Sequence, residues 1–286
     1  MQVFHTIRDF RAARAEMRRA GRILGLVPTM GALHEGHRSL VRAARAQCDA
    51  VAVSIFVNPT QFAPGEDFER YPRTFDADLA LLRDEGVELV FAPTPVEMYP
   101  PGQPSIVVDV PEIGARLDGA SRPGHFRGVA TVVSKLFHIA GPERAFFGQK
   151  DAAQVAVLRA MVRALNMPVE LVVCPIVRDP DGLALSSRNR YLSVEQREHA
   201  LALPRALAEA AERAASCGDA ACLRNHLRAQ LEAAPGLRVD YAEVVDRDTL
   251  LPVETLTRGA LVAAAVWVGE TRLIDNLLLP PREVQA

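Results

Sequence analysis

The 286 residues are 49% hydrophobic and 24% charged with a net charge of −2, the balance of a soluble globular protein of one large or two modest domains, which excludes a disordered, collagenous or coiled-coil chain. Lys plus Arg number 33 against 35 for Asp plus Glu, so there is no basic excess to meet a polyphosphate backbone, and nucleic acid is not an expected partner. The longest apolar run, 260–268, is far short of the roughly 20 residues that cross a bilayer, so no membrane partner is expected either.

The opening residues, MQVFHTIRDFRAARAEMRRA, lack the apolar stretch and small-residue cleavage site of a secretory signal. Short apolar runs then alternate with amphipathic ones, the pattern of parallel βαβ units. Strands are expected at 23–27, 50–57, 87–91, 145–147 and 169–174. Helices are expected at 36–47, 75–85 and 152–165, and in a fourth segment carrying Val129, Val132, Val133, Leu136, Phe137 and Ala140 at helical spacing, ended by Gly141-Pro142. Pro and Gly between Pro93 and Pro104 mark a surface loop. The character changes after the turn cluster Asp179-Pro180-Asp181-Gly182. Ser193 with Gln196 reads as a capping box opening an Ala-rich helix to about Ala215, and a second helix spans 219–233. Strand-like runs follow at 239–245, 260–268 and 272–278. The expected fold is therefore α/β: a Rossmann-like, doubly wound parallel sheet over residues 1–176, with a smaller α+β C-terminal domain, antiparallel in its sheet, over 177–286.

Cys48, Cys174, Cys217 and Cys222 form no CxxC pair, which fits reduced thiols in the cytoplasm. Cys217 and Cys222 with His226 match no common zinc spacing and sit in Ala-rich helix, so no metal is assigned to them.

Chemistry concentrates in PTMGALHEGHRSLV, residues 28–41, which follows a strand and opens a helix. His34 and His37 thus stand at the carboxyl end of a parallel sheet, where open α/β folds bind ligands and where free helix N–H groups suit phosphate. Their H-x-x-H spacing is not the H-E-x-x-H of a metalloprotease. Asn58-Pro59-Thr60-Gln61 follows the next strand and puts a neutral amide, Gln61, at the same edge. In Gly148-Gln149-Lys150-Asp151, Asp151 and Gln154 read as a capping box, whereas Lys150 opposes the helix dipole unless an anion is bound beside it. Ser186-Ser187-Arg188 offers two hydroxyls and a guanidinium, suited to phosphate.

The first segment resembles the HIGH-type signature of the nucleotidyltransferase superfamily. With FVNPTQF at 56–62, FGQKDAAQ at 147–154 and LSSRNRYL at 185–192, all in order, the whole chain resembles the pantothenate synthetase (pantoate–β-alanine ligase) family. The resemblance implies an ATP-dependent carbon–nitrogen ligase of coenzyme A precursor biosynthesis. ATP and (R)-pantoate would give pantoyl adenylate and pyrophosphate, and β-alanine would displace AMP to yield pantothenate. It implies ATP along Met30, Gly31, Ala32, Leu33, His34, Glu35, Gly36 and His37, along Gly148, Gln149, Lys150 and Asp151, and along Val177, Leu185, Ser186, Ser187 and Arg188. Pantoate would meet Asn58, Gln61 and Gln154, and β-alanine Gln61. His37 takes the catalytic role, joined by His34, Lys150 and Arg188, and Phe62 would pack beside the methyl groups of pantoate. Ser186 to Arg188 would be the counterpart of the superfamily's KMSKS-like loop, with Arg188 replacing its first lysine.

Mg²⁺ is implied by the triphosphate rather than by a visible carboxylate cage. Asp76 and Asp78 are the nearest candidates, but Ala77 and Leu81 break the family's acid- and Gln-bearing pattern there, so the protein ligands of the metal stay unassigned. The charged stretch 64–73 is expected to be a mobile cover, and a homodimer is implied through the first domain. A phosphopantetheine or cytidylyl-type transferase gives no reason for the Gln61–Gln154 pair, and a tRNA synthetase relative would need a basic region. A non-catalytic ATP sensor would have no use for both imidazoles and Lys150.

Overall fold

The computed structural model describes residues 1–282 except 215 and 218. Nine strands and eleven helices follow in chain order among these residues. The first part contains β1 Gln2–Phe4, α1 Ile7–Arg19, β2 Leu24–Thr29, α2 Glu35–Gln47, β3 Ala50–Ile55, α3 Phe75–Asp84, β4 Leu89–Phe91, the short helices α4 Pro95–Met98, α5 Pro111–Gly114 and α6 Asp118–Ser121, then α7 His125–Ala140, β5 Arg144–Gly148, α8 Ala152–Ala164 and β6 Glu170–Cys174. The second contains α9 Val194–Ala200, α10 Ala202–Ala214, α11 Ala220–Ala233, β7 Leu237–Val245, β8 Ala260–Val268 and β9 Thr271–Leu279.

The strands of the first part make a six-stranded sheet in the order β1-β4-β3-β2-β5-β6, parallel at every pairing. The fold is the doubly wound, Rossmann-like one. Its strands read as continuous apolar runs, such as Ala50-Val51-Ala52-Val53, because helices cover both faces. Phe10 of α1 and the buried flanks of α7 and α8 pack on one face, and Leu40, Val41 and Ala44 of α2 with Leu82 of α3 pack on the other. The chain winds outward one way through β3 and β4 and the other way through β5 and β6. The strand order therefore reverses between β2 and β5, and the crevice for ligands lies beyond their carboxyl ends.

The second sheet is antiparallel, β7-β8-β9. Side chains of β8 alternate between two cores: Leu261 and Ala263 join the core of the parallel sheet, while Val262, Ala264 and Val266 pack on α10 and α11. That period-2 alternation explains why the run is apolar throughout.

Most element types match the sequence expectations, with differences at particular points. The edge strand β1, the helix α1 and the short α4 within the expected loop are additions. The single Ala-rich helix is two, α9 and α10, because Pro204 in the first turn of α10 has no N–H to continue the α9 ladder; its expected end at Ala215 lies outside the described residues. The Ser193–Gln196 capping box forms with both hydrogen bonds, at 3.0 and 3.1 Å. Among the described residues no helix is long and apolar enough to cross a membrane.

Candidate active site

The loop from β2 into α2 turns through two left-handed residues, Gly31 (φ +85°) and Ala32 (φ +51°). An alanine there carries a strain of about 1 kcal/mol. Asp78, on α3 and only 2% exposed, holds the turn. Its carboxylate accepts the Ala32 and Leu33 N–H groups at 3.0 and 2.8 Å, and the Thr74 hydroxyl at 3.1 Å. The next two features are histidines that cap the helix they belong to. His34 Nδ1 accepts the Gly36 N–H at 3.1 Å, and His37 Nδ1 accepts the His34 N–H at 3.3 Å. The ring centroids lie 4.2 Å apart.

This arrangement fixes the chemistry of both rings. Burial pushes His37 down to about 3, helped by His34 and Lys150. Burial also lowers His34, with the positive charges of Lys150 and Arg190 adding to it. The rings are therefore neutral at pH 7. With Nδ1 accepting from backbone, the single ring proton sits on Nε2. Two neutral N–H donors thus stand side by side where α2 begins.

Asn58 and Gln61 occupy the 3-10 turn Pro59–Gln61 and its cap, after β3. Asn58 is fully engaged: Nδ2 donates to Gln61 Oε1 and Gly128 O, both at 3.2 Å, and Oδ1 accepts from the Thr60 and Tyr99 hydroxyls at 3.0 and 2.9 Å. It acts here as the support of Gln61, whose Nε2 rests on Met30 Sδ at 3.1 Å. The turn touches α7 because Gly128 has no side chain; a Cβ there would come within 2.3 Å of Thr60 O and 2.6 Å of Gln61 Cα. His125, which the sequence reading passed over, completes the support. Its Nδ1–H donates to Gln61 O at 2.8 Å, and Nε2 faces an Arg122 N–H at 3.1 Å. Burial first, then the neighbouring Arg122, pushes His125 down to about 4, so this ring too is neutral. The string RPGH around it carries no periodicity or ligand spacing by which it could have been singled out.

At the start of α8 the expected Asp151–Gln154 capping box is absent. Asp151 makes no side-chain cap bond, its ψ of 59° lying outside the extended geometry of a normal cap. The loop is tied instead to the second sheet. Asn276 of β9 donates to Gln149 O and Lys150 O at 3.0 and 2.9 Å and accepts from Gln149 Nε2 at 3.0 Å. Lys150, Asp151 and Gln154 then line a cavity of about 880 Å³ between the two sheets, with Ser186 and Arg188 across from them. Among the described residues Lys150 has no acidic partner within 4.0 Å. The imidazoles, Met30 and Gln61 are not walls of this cavity, although both imidazoles feel the charge of Lys150.

The Ser186–Arg188 loop is a 3-10 turn, Ser187–Tyr191, capped by Ser186 Oγ, which accepts the Arg188 N–H at 3.3 Å. Leu185 N–H donates to Val177 O at 3.0 Å, so these two residues face each other across one short hairpin. Arg188 grips Asp67 through Nε and Nη2 at 3.1 and 3.2 Å. Asp67 belongs to the stretch 64–73, whose Glu66 is paired with Arg122 at 2.6 Å. That stretch walls the cavity and is pinned to both parts of the chain. Phe62 packs edge-on against Phe68 and Tyr71.

Of the two acids considered for a divalent cation, Asp78 is committed to the Ala32–Leu33 backbone, and Asp76 is exposed. No group of three or more His, Cys, Asp or Glu is gathered for a metal among the described residues. These residues do not form a cage for Mg²⁺. Cys217 Sγ and Cys222 Sγ lie 2.7 Å apart, away from the site.

Residues 2–278 match the family described as pantoate-beta-alanine ligase. The chain is 58% identical to the pantothenate synthetase of Acidobacterium capsulatum, over 98% of this chain and 97% of that protein. It is 57% identical to that of Roseiflexus sp., over 98% and 99%. It superposes on the crystal structure of pantothenate synthetase from Thermus thermophilus with a TM-score of 0.92 at 48% identity, covering 98% and 100%. The pantoate-beta-alanine ligase of Francisella tularensis, crystallised with beta-gamma ATP and beta-alanine, gives a TM-score of 0.78 at 34% identity, covering 97% of each chain.

Proposed function

The chain belongs to the pantoate-beta-alanine ligase family, and from that premise we propose how its own residues carry out ATP-dependent condensation of (R)-pantoate with β-alanine. The pantoate carboxylate is ionised at pH 7 and attacks the α-phosphorus of ATP without a general base. Pyrophosphate leaves with the bridging oxygen. The amine of β-alanine then attacks the acyl carbon of the adenylate, loses a proton, and expels AMP.

What the protein must supply is alignment of two anions and stabilisation of charge growing on the phosphoryl oxygens. The observation that carries this reading is the pair of neutral Nε2–H donors of His34 and His37 at the switch point of the sheet. A neutral donor stabilises a developing negative charge and releases the product more readily than a fixed cation would. Lys150 and Arg188 serve the β- and γ-phosphates, Arg188 after leaving Asp67. Backbone at Val177 and Leu185 takes the adenine and ribose edge, and the Gly148–Asp151 and Ser186–Ser187 backbones flank the triphosphate. Gln61, held by Asn58 and His125, and Gln154 bind pantoate, with β-alanine entering beside Gln61.

In this reading residues 1–176 form the binding unit and 177–286 the lid, with 64–73 as a second cover protecting the adenylate from water. Mg²⁺ comes with the triphosphate, and no protein step is assigned to it. The molecule is a cytoplasmic homodimer joined through the first unit. The test is pantoate-dependent exchange of labelled pyrophosphate into ATP. Exchange in the absence of β-alanine is expected; no exchange in folded protein with Mg²⁺ would favour a nucleotide sensor.

A further inference from the structure

Asn276 is 3% exposed and is not a wall of the cavity between the sheets. Among the described residues its carboxamide finds all its partners in one place, the loop that begins α8, 126 and 127 residues away in sequence. One side chain thus captures two consecutive carbonyls, Gln149 O and Lys150 O, while its oxygen takes the Gln149 amide. The neighbouring Asp275 fixes the strand itself: its Oδ1 accepts the Asn276 N–H at 2.7 Å, and both oxygens hold the Arg178 guanidinium at 2.6 and 3.0 Å.

The geometry has a direct consequence. In a trans peptide the C=O and N–H point in opposite directions. Drawing the Gln149 and Lys150 carbonyls toward β9 therefore turns the N–H groups of Lys150 and Asp151 away from it. The loop has no side-chain cap of its own. Among the described residues its remaining backbone ties are Gln149 N–H to Cys174 O at 2.8 Å, a long Asp151 N–H to Gly148 O at 3.4 Å, and the first helical bond, Val155 N–H to Asp151 O at 3.0 Å. The aim of Lys150 is thus set from the second sheet. Only a primary amide of this length meets the need, since two donors and one acceptor are used; aspartate offers no donor and leucine offers neither.

We infer that Asn276 is a positioning residue for adenylation, acting through the Gln149–Lys150 backbone on the charge that Lys150 presents to the triphosphate. This rests on the reading of the site given above. Preorganised donors lose their effect steeply when displaced, and a shift of about 1 Å can cost on the order of 100-fold in rate.

The experiment uses the full chain with Asn276→Asp, which keeps the size and the bond from Gln149, and Asn276→Leu, which removes all three bonds. Leu261→Ala on β8 is the control for lost stability alone. In both Asn276 variants kcat for pyrophosphate–ATP exchange is expected to fall about 10- to 100-fold, with the pantoate KM within about twofold. Leu261→Ala lowers Tm and leaves kcat at 25 °C unchanged. Combined with Lys150→Met, Asn276→Asp adds no further loss, because the two act through one group. Hydrogen exchange at residues 149–151, read without substrates, rises in both Asn276 variants and not in Leu261→Ala, and this arm stands whatever reaction the wild type catalyses. Unchanged kcat, losses that multiply with Lys150→Met, or unchanged exchange at 149–151 would each overturn the inference. Absence of exchange in the wild type would instead overturn the proposed function.

Discussion

Two helices begin at the switch point of the sheet, and they are built in opposite ways. The start of α2 is organised by its own sequence: His34 and His37 cap it reciprocally. The start of α8 has no side-chain cap, and a residue of the second sheet holds its carbonyls. In the first case the capping bonds and the proposed chemistry share the same rings, because a backbone N–H on each Nδ1 forces the proton onto Nε2. In the second, the cation that the helix dipole disfavours is kept in place from outside. The contrast shows that helix ends at one sheet edge can be set locally by side-chain caps or remotely by a second sheet, with different sensitivities to change.

The largest effect expected from breaking the local side of this contrast is on rate. His37→Ala removes a donor and a cap together, and exchange of pyrophosphate into ATP should fall by about 10²–10³. A loss under threefold would mean that the rings only cap. Next comes stability. Asp78→Ala leaves the Ala32 and Leu33 N–H groups and the left-handed turn without their acceptor, and urea denaturation should report a loss of about 2–4 kcal/mol. A loss below 0.5 kcal/mol would detach the turn from Asp78.

The third effect is one of pH. The pKa of His37 is about 3 in the fold against roughly 6.5 in the unfolded chain. The unfolded state therefore takes up the proton first. The contribution of the neutral ring is complete above pH 6.5 and is lost as pH falls toward 3. Denaturation followed from pH 7 to 4 should decline more steeply in the wild type than in His37→Asn, and equal slopes would count against the depressed value. The smallest effect concerns the remote side. Asp67→Asn frees Arg188 from a pair worth no more than about 1 kcal/mol, so stability should barely move while the KM for ATP falls a few-fold. A raised KM would show that Asp67 helps rather than restrains Arg188.

What the sequence made legible follows the same division. The strand–turn–helix around His34 and His37 could be read because its capping bonds lie within four residues; Asp78, which holds the turn from 45 and 46 residues away, looked like a metal candidate because a buried backbone acceptor and a metal ligand share one side chain type. Asn58 and Gln61 could be placed at the sheet edge, but their support by His125 and the close approach at Gly128 depend on α7, about 70 residues on. The capping box expected at Asp151 and Gln154 had correct spacing, yet the tie from Asn276 set a different backbone, and no local pattern records a bond spanning 127 residues. Arg188 was expected from its residue type as a phosphate ligand, whereas its hold on Asp67 was not legible, since that pair joins two loops 121 residues apart. The antiparallel sheet was legible because three strand-like runs follow one another after the helices, and the break before α10 was hidden in an Ala-rich run that otherwise favours one helix.

Long-range ¹H–¹⁵N spectra of protein labelled at histidine, with His34 and His37 assigned from their single variants, give the most direct measurement. His37 should be neutral with its proton on Nε2 from pH 5 to 8, and His34 should show the same tautomer when neutral, with both Nε2 resonances shifting on addition of ATP. A proton on Nδ1 of either ring, or a His37 that titrates near 6.5, would contradict the account.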